Sequence, residues 1–283
     1  MDLCNPEELR PVLERNGFRF SKALGQNFLI RRWVPERIAE ESLIGKENGV
    51  LEIGPGVGCL TRELSLRAGQ VASVELDGRL LPVLKETLSD CDNVHIVPAD
   101  IMKTDIYALT REYFSGLRPA VCANLPYNIT SPVLTKLLES GLFERVTVMV
   151  QREVAKRLCA GPGDGDYGAF SAFIRYYTQP ELLFDVTPDC FMPQPKVWSA
   201  VVRMTRREKP PVEVSDEKLF FRVVRGAFAL RRKTLENSLG SVFGEFSRPE
   251  LRERISGAGI DPAVRGETLG LAEFAALSEA LRK

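Results

Sequence analysis

From residue 49 to residue 151, apolar runs of strand length alternate with stretches whose apolar positions recur at helical spacing. That alternation is the signature of a parallel sheet flanked by helices. It predicts strands at 49–53, 70–76, 94–99, 120–124 and 145–150, with helices at 60–68, 79–88 and 132–141 between them. Such a doubly wound α/β domain binds its ligands outside the carboxyl ends of the strands. Beyond Gln151 come a further helical stretch, the loop Gly161-Pro162-Gly163-Asp164-Gly165, which either gates something or simply connects, and a helix at 168–178. An antiparallel strand pair is then predicted at 181–186 and 197–205, separated by the Pro-rich stretch 188–195. Lys209-Pro210-Pro211 reads as a linker, after which the pattern is helical, broken at Pro249 and Pro262. The expected division is therefore a catalytic domain over 1–206 and a small helical domain over 207–283. No internal repeat or low-complexity tract interrupts this plan.

Composition narrows the class. At 283 residues, 44% hydrophobic and 27% charged, the chain resembles an ordinary globular protein. No apolar run approaches the roughly 20 residues needed to cross a bilayer. The start, Met1-Asp2-Leu3-Cys4 followed by Glu7, Glu8 and Glu14, lacks the basic-then-apolar order of a signal peptide, so a cytoplasmic location is expected. The cysteines are scattered without a CxxC pair, and His95 is the single histidine, which argues against a zinc site, a disulfide framework or a His-based triad. No metal is expected. Formal net charge is zero, so any nucleic-acid surface must be a local patch.

Candidate chemistry appears at the strand ends. The first strand runs into Glu52-Ile53-Gly54-Pro55-Gly56-Val57-Gly58, where glycines let the backbone take positive φ and approach a ligand. The spacing is GxGxG, not the GxGxxG of dinucleotide enzymes, because position 59 is Cys59. The second strand ends in Val74-Glu75-Leu76-Asp77, about 20 residues beyond the turn, where an acid can accept from both ribose hydroxyls. The third ends in Ala99-Asp100-Ile101, whose carboxylate can accept from an adenine amine or can cap a helix. Gly-rich turn, acid and acid on successive strands describe an adenosine-bearing ligand. The missing phosphate motif favours S-adenosylmethionine over NAD.

The fourth strand ends in Asn124-Leu125-Pro126-Tyr127. An exocyclic adenine amine is a poor nucleophile because its lone pair is delocalised into the ring. Two acceptors, the Asn124 side-chain oxygen and the Leu125 carbonyl, could draw its hydrogens toward a tetrahedral arrangement, with Pro126 stiffening the backbone and Tyr127 stacking on the base. Phe191, in Phe191-Met192-Pro193-Gln194-Pro195-Lys196-Val197, is either a core residue or a second platform for an extruded base.

These residues, with Lys22-Ala23-Leu24-Gly25-Gln26-Asn27-Phe28-Leu29, resemble in order the marks of the KsgA/RsmA ribosomal RNA adenine dimethyltransferases, over roughly residues 18–240. The resemblance implies a Rossmann-like class I methyltransferase fold with a small C-terminal helical domain. It further implies that Gln26, Asn27 and Leu29 close over S-adenosylmethionine, that Gly54 and Gly56 adjoin its methionine end, and that Glu75, Leu76, Asp100, Ile101 and Asn124 complete the cofactor site. Asn124, Leu125, Tyr127 and Phe191 become the catalytic group. The implied reaction is N6 dimethylation of two adjacent adenosines in a hairpin near the 3′ end of small-subunit RNA, with a role in late subunit assembly. Val57 and Cys59 depart from the family's glycine turn without altering an expected contact.

An RNA partner has modest support of its own. Lys and Arg outnumber Asp and Glu between Arg203 and Lys233, and Arg222, Arg225, Arg231, Arg232 and Lys233 are the expected phosphate contacts. The small ribosomal subunit is the expected partner and a monomer the expected free state. Competing readings are a large-subunit adenine methyltransferase of the antibiotic-resistance type, a non-catalytic assembly or transcription factor, and a dehydrogenase, which the glycine spacing disfavours.

Overall fold

A computed structural model of the chain describes residues 1–20 and 26–282. Residues 22–25 of the Lys22-to-Leu29 motif thus lie outside the described residues. In chain order the strands are β1 (Phe28–Leu29), β2 (Asn48–Ile53), β3 (Gln70–Glu75), β4 (Val94–Pro98), β5 (Arg118–Asn124), β6 (Arg145–Gln151), β7 (Thr178–Val186), β8 (Phe191–Met192) and β9 (Ser199–Arg206). Seven form one sheet in the order β4-β3-β2-β5-β6-β9-β7, and β1 pairs separately with β8. Every position of β2 is buried, as expected for a parallel strand covered on both faces.

Strands β4, β3, β2, β5 and β6 are mutually parallel, in registers that pair Ile53 with Val74, Glu75 with Pro98 and Asn124 with Met149. Their carboxyl ends therefore lie along one edge of the sheet. Strand order reverses between β2 and β5, the topological switch point at which such sheets hold ligands. Strand β9 runs antiparallel to β6, pairing Ser199 with Gln151, and β7 lies beyond β9 at the sheet edge. The two strands expected at 181–186 and 197–205 are thus neighbours, inside the main sheet.

Local signals set the helix ends. Gly58, at φ 93°, opens the helix Cys59–Arg67 in the left-handed region. Gly141, at φ 73°, closes Thr130–Ser140 in the same way. Asp105 accepts from the backbone N–H groups of Tyr107 and Ala108 and so caps Ile106–Tyr113.

The chain packs as two compact units, Met1–Ala155 with Glu181–Arg206, and Lys156–Pro180 with Arg207–Lys283. A division falls at 206/207, and residues 156–180 pack with the second unit. The cause is the apolar face of the helix Ala169–Tyr177. Its Ala172 and Tyr176 join a core made with Phe220, Val223, Val224, Phe243 and Phe274, and the rings of Tyr176 and Phe220 are 5.1 Å apart. Four helices, Glu217–Phe228, Leu235–Gly240, Arg248–Gly257 and Leu271–Ala280, supply most of that core. Asp216 caps the first of them by accepting from the Leu219 N–H at 3.0 Å. Among the described residues no helix is long and apolar enough to cross a membrane.

Candidate active site

One cavity lies at the carboxyl ends of β2 to β5, and the residues singled out from five separate stretches of sequence line it together. Gly54 and Gly56 come from the turn after β2, Glu75 and Leu76 from the end of β3, Asp100 and Ile101 from beyond β4, and Asn124, Leu125 and Tyr127 from the end of β5. Gln26, Asn27 and Leu29 line it from the N-terminal segment.

The glycines are required by geometry. Gly54 and Gly56 hold φ at 70° and 60°, which side chains other than glycine rarely adopt. A Cβ on Gly54 would come 3.7 Å from Pro126, and one on Gly56 would press to 3.2 Å from Phe28. The glycine turn is therefore close both to the Asn124-Leu125-Pro126-Tyr127 stretch and to β1.

Acids line the adjoining wall. Glu75 is only 6% exposed, and its Oε1 accepts from the Asp77 N–H at 2.7 Å. Burial raises its proton affinity above the usual carboxylate range, partly opposed by backbone N–H bonds from Asp77, Gly56 and Leu76. Asp100 is half-buried, with Oδ1 accepting from the Met102 N–H at 2.9 Å, so one oxygen is engaged by its own turn. Leu76, 60% exposed, and the buried Ile101 supply apolar surface beside these two acids. Two carboxylates, backbone donors at a glycine turn and flanking apolar side chains fit the ribose, adenine and amino-acid parts of S-adenosylmethionine.

The Asn124 carboxamide engages no hydrogen-bond partner among the described residues and faces the same cavity. The Tyr127 hydroxyl is bonded at 2.7 Å to Ser199 Oγ in β9, which fixes the ring, and burial pushes the phenol's pKa up. His95 bonds Gln70 at 2.8 Å and is not among the residues lining the cavity. Among the described residues no group of three or more His, Cys, Asp or Glu is placed to hold a metal ion.

Two expected positions differ. Phe191 is 2% exposed and belongs to the core, not to the cavity wall. Its strand β8 pairs with β1, matching Phe191 to Leu29, and this pairing turns the ring inward. In this arrangement the side chain is not open to a base. Arg222, in the second unit, is committed internally. Its guanidinium pairs with both carboxylate oxygens of Glu245, at 2.7 and 3.0 Å, and lies 4.1 Å from the Phe243 ring centre. Arg225, Arg231, Arg232 and Lys233 are exposed, with Arg231 also donating to the Gly165 carbonyl.

Sequence reasoning missed Glu52 as a site residue. It lies inside the buried strand β2, lines the cavity, and accepts from the Thr61 and Ser73 hydroxyls at 2.6 Å each. An acid within an otherwise apolar strand, just before the glycine turn, was the available signal. Burial pushes its pKa up to about 7, against the lowering effect of the two hydroxyls. A carboxyl whose folded pKa is raised favours the fold while protonated, and that contribution is lost as pH rises through the folded value. The stability difference between the native chain and Glu52→Gln should therefore change by about 2–3 kcal/mol between roughly pH 4.5 and pH 7, to the disadvantage of the native chain. Urea unfolding at a series of pH values measures it, and parallel pH profiles for the two proteins would contradict the assignment.

With this geometry in place, comparison with known proteins is decisive. The sequence profile described as Ribosomal RNA adenine dimethylase matches residues 17–282. The chain belongs to this family. Within the ribosomal RNA adenine dimethylases it is 49% identical to the ribosomal RNA small subunit methyltransferase A of Bacillus cytotoxicus, over 99% of this chain and 97% of that protein. The enzyme of the same name from Geobacillus thermodenitrificans is 46% identical over the same shares. Among solved structures, the 23S rRNA methyltransferase ErmE matches with a TM-score of 0.67 and 30% identity, over 91% of this chain and all of that one (100%). A dimethyladenosine transferase from Plasmodium falciparum matches in fold, with a TM-score of 0.75 and 23% identity over 88% of this chain and 95% of that one. This dimethylase is accordingly a Rossmann-like methyltransferase whose methyl donor is S-adenosylmethionine.

Proposed function

We propose that this dimethylase transfers methyl groups to the N6 amines of two adjacent adenosines in the 3′-terminal hairpin of small-subunit ribosomal RNA. The observation that carries the reading is the convergence of the Asn124-Leu125-Pro126-Tyr127 stretch and the glycine turn on one cavity. The higher identity to small-subunit enzymes, 49% against 30% for the 23S enzyme, supports the choice of subunit.

The residues divide the work. Glu75 and Asp100 hold the ribose and adenine of the donor, with Leu76 and Ile101 beside the ring, Gly54 and Gly56 at the methionine end, and Gln26, Asn27 and Leu29 covering it. Bound there, S-adenosylmethionine supplies an electrophilic methyl group on a positively charged sulfur. Asn124 accepts one hydrogen of the target amine through its side-chain oxygen and the Leu125 carbonyl accepts the other, which frees the nitrogen lone pair and aims it along the line of attack. Tyr127, its hydroxyl tied to Ser199, offers its ring to the base. No strong base is required, because the methylated nitrogen is acidic while charged and releases its proton readily. His95 has no part in this scheme.

The exposed Arg225, Arg231, Arg232 and Lys233 support a phosphate-binding role for the second unit, on a small subunit assembling in the cytoplasm, with the free protein a monomer. Arg231→Glu combined with Arg232→Glu should weaken binding to small-subunit particles and flatten the dependence of log affinity on log salt by about two contacts' worth. Filter binding across a salt series measures this, and an unchanged slope would assign the patch to something else. The reaction itself is tested by incubating unmethylated small subunits with the protein and cofactor and mapping modified nucleosides by mass. Dimethyladenosine at two adjacent positions near the 3′ end is expected, and modification confined to another site or another base would overturn the reading.

A further inference from the structure

Asp77 lies two residues beyond Glu75, and although it is not a residue of the cavity wall it ties three parts of that wall's surroundings together. Its backbone N–H donates to Glu75 Oε1 at 2.7 Å. Its Oδ2 accepts from Gln26 Nε2 at 2.7 Å and from an Arg79 guanidinium nitrogen at 2.6 Å. Its Oδ1 accepts from Arg79 Nε at 2.8 Å and from the Arg79 backbone N–H at 3.1 Å. Arg79 in turn donates to the Arg19 carbonyl at 3.4 Å and lies 5.7 Å from the centre of the Phe18 ring.

The same pair therefore grips the N-terminal segment at two places, Phe18–Arg19 and Gln26. The Asp77 carboxylate is 6% exposed, and the two-pronged contact with Arg79 is the arrangement that best offsets the cost of burying it. The bonds from Arg79, and secondarily from Gln26, lower the carboxyl's proton affinity against the opposing effect of burial, which favours its ionised form. An ionised, oriented acceptor binds the Gln26 amide more firmly than a neutral one.

We infer that the Asp77–Arg79 pair is a positioning element for the cofactor: it holds Gln26 against the cavity, beside the turn whose Asp77 backbone N–H bonds Glu75, and so sets how long the cofactor stays bound. This rests on reading the cavity as the S-adenosylmethionine site. Neither Asp77 nor Arg79 touches the reacting atoms, so the pair governs residence and not the chemical step. A purely structural pair would change melting temperature without a selective change in cofactor release.

The test follows release of labelled S-adenosylmethionine, chased with unlabelled cofactor, from the native protein, Arg79→Ala, Arg79→Lys, Gln26→Ala and the Gln26→Ala/Arg79→Ala double variant. Because Arg79 is half-exposed, a modest effect is expected, with release about fivefold faster in Arg79→Ala. KM for the cofactor should rise by a similar factor while kcat at saturation changes by less than about twofold. Arg79→Lys keeps the charge but loses the two-pronged fit, and is expected to recover part of the effect. The double variant should release cofactor about as fast as the faster single variant, because both substitutions cut the same link. Unchanged release in Arg79→Ala, or fully multiplicative effects in the double variant, would overturn the proposal. A native protein that binds no S-adenosylmethionine would instead overturn the reading of the cavity on which it rests. Asp77→Asn, nearly isosteric, provides an independent variant should Arg79→Ala fold poorly, and normal release from it would also count against the pair.

Discussion

Asn124→Ala is expected to slow methyl transfer by about 10²–10³-fold at saturating cofactor and RNA, the loss typical of removing one preorganised group that acts on developing charge. Cofactor affinity should change far less. The carboxamide faces the cavity with no hydrogen-bond partner among the described residues, so truncation leaves no buried group unsatisfied and opens only a small space. The asymmetry between kcat and cofactor Kd is the discriminating quantity, because an interaction made with the amine and not with the donor appears in the first and hardly in the second. Single-turnover methylation under saturating conditions, alongside calorimetric titration of the cofactor, separates them. Full turnover by the variant would refute the role given to Asn124.

Glu75→Ala has the second large effect, on binding. Its carboxylate is nearly buried, and burial raises its proton affinity, so the cofactor-free protein holds it against a desolvation penalty. Such a cost is retained where a ligand makes use of the charge. Hydrogen bonds to a charged acceptor contribute about 1.5–3 kcal/mol each, so its removal should weaken S-adenosylmethionine about 10- to 100-fold. Stability should fall less than affinity, since the desolvation penalty disappears with the carboxylate. Glu75→Gln, which keeps an acceptor without the charge, should lie between the two. Calorimetry measures the series, and an affinity unmoved by Glu75→Ala would remove this residue from the cofactor site.

What the sequence made legible, and what it hid, follows from the range of the interactions. The five parallel strands could be read because each is a strand-length stretch rich in apolar residues, buried throughout in β2 and only partly in β4, and the strand ends placed Glu75, Asp100 and Asn124 on one edge by topology alone. The pairing of β1 with β8 could not be read. Two residues carry no periodicity, and their partners lie far along the chain, at Phe191 and Met192. That pairing also decided the placement of Phe191 in the core. The helix Ala169–Tyr177 was visible as a helix, but nothing local to it says which of two cores its apolar face joins. Arg222 looked like one more member of a basic cluster until its partners Glu245 and Phe243 came into view from a separate part of the chain. Asp77 stood in plain sight beside Glu75, yet its link to Gln26 spans a tertiary contact that spacing does not encode.

The proposed substrate of this dimethylase is a set of adenosines in the small ribosomal subunit. That assignment is tested most directly by offering labelled S-adenosylmethionine with purified, unmethylated small and large subunits in separate reactions and identifying the labelled nucleoside after digestion. Label is expected in the small subunit alone, recovered as N6,N6-dimethyladenosine. Label confined to the large subunit, or absent from both while the cofactor binds, would contradict it.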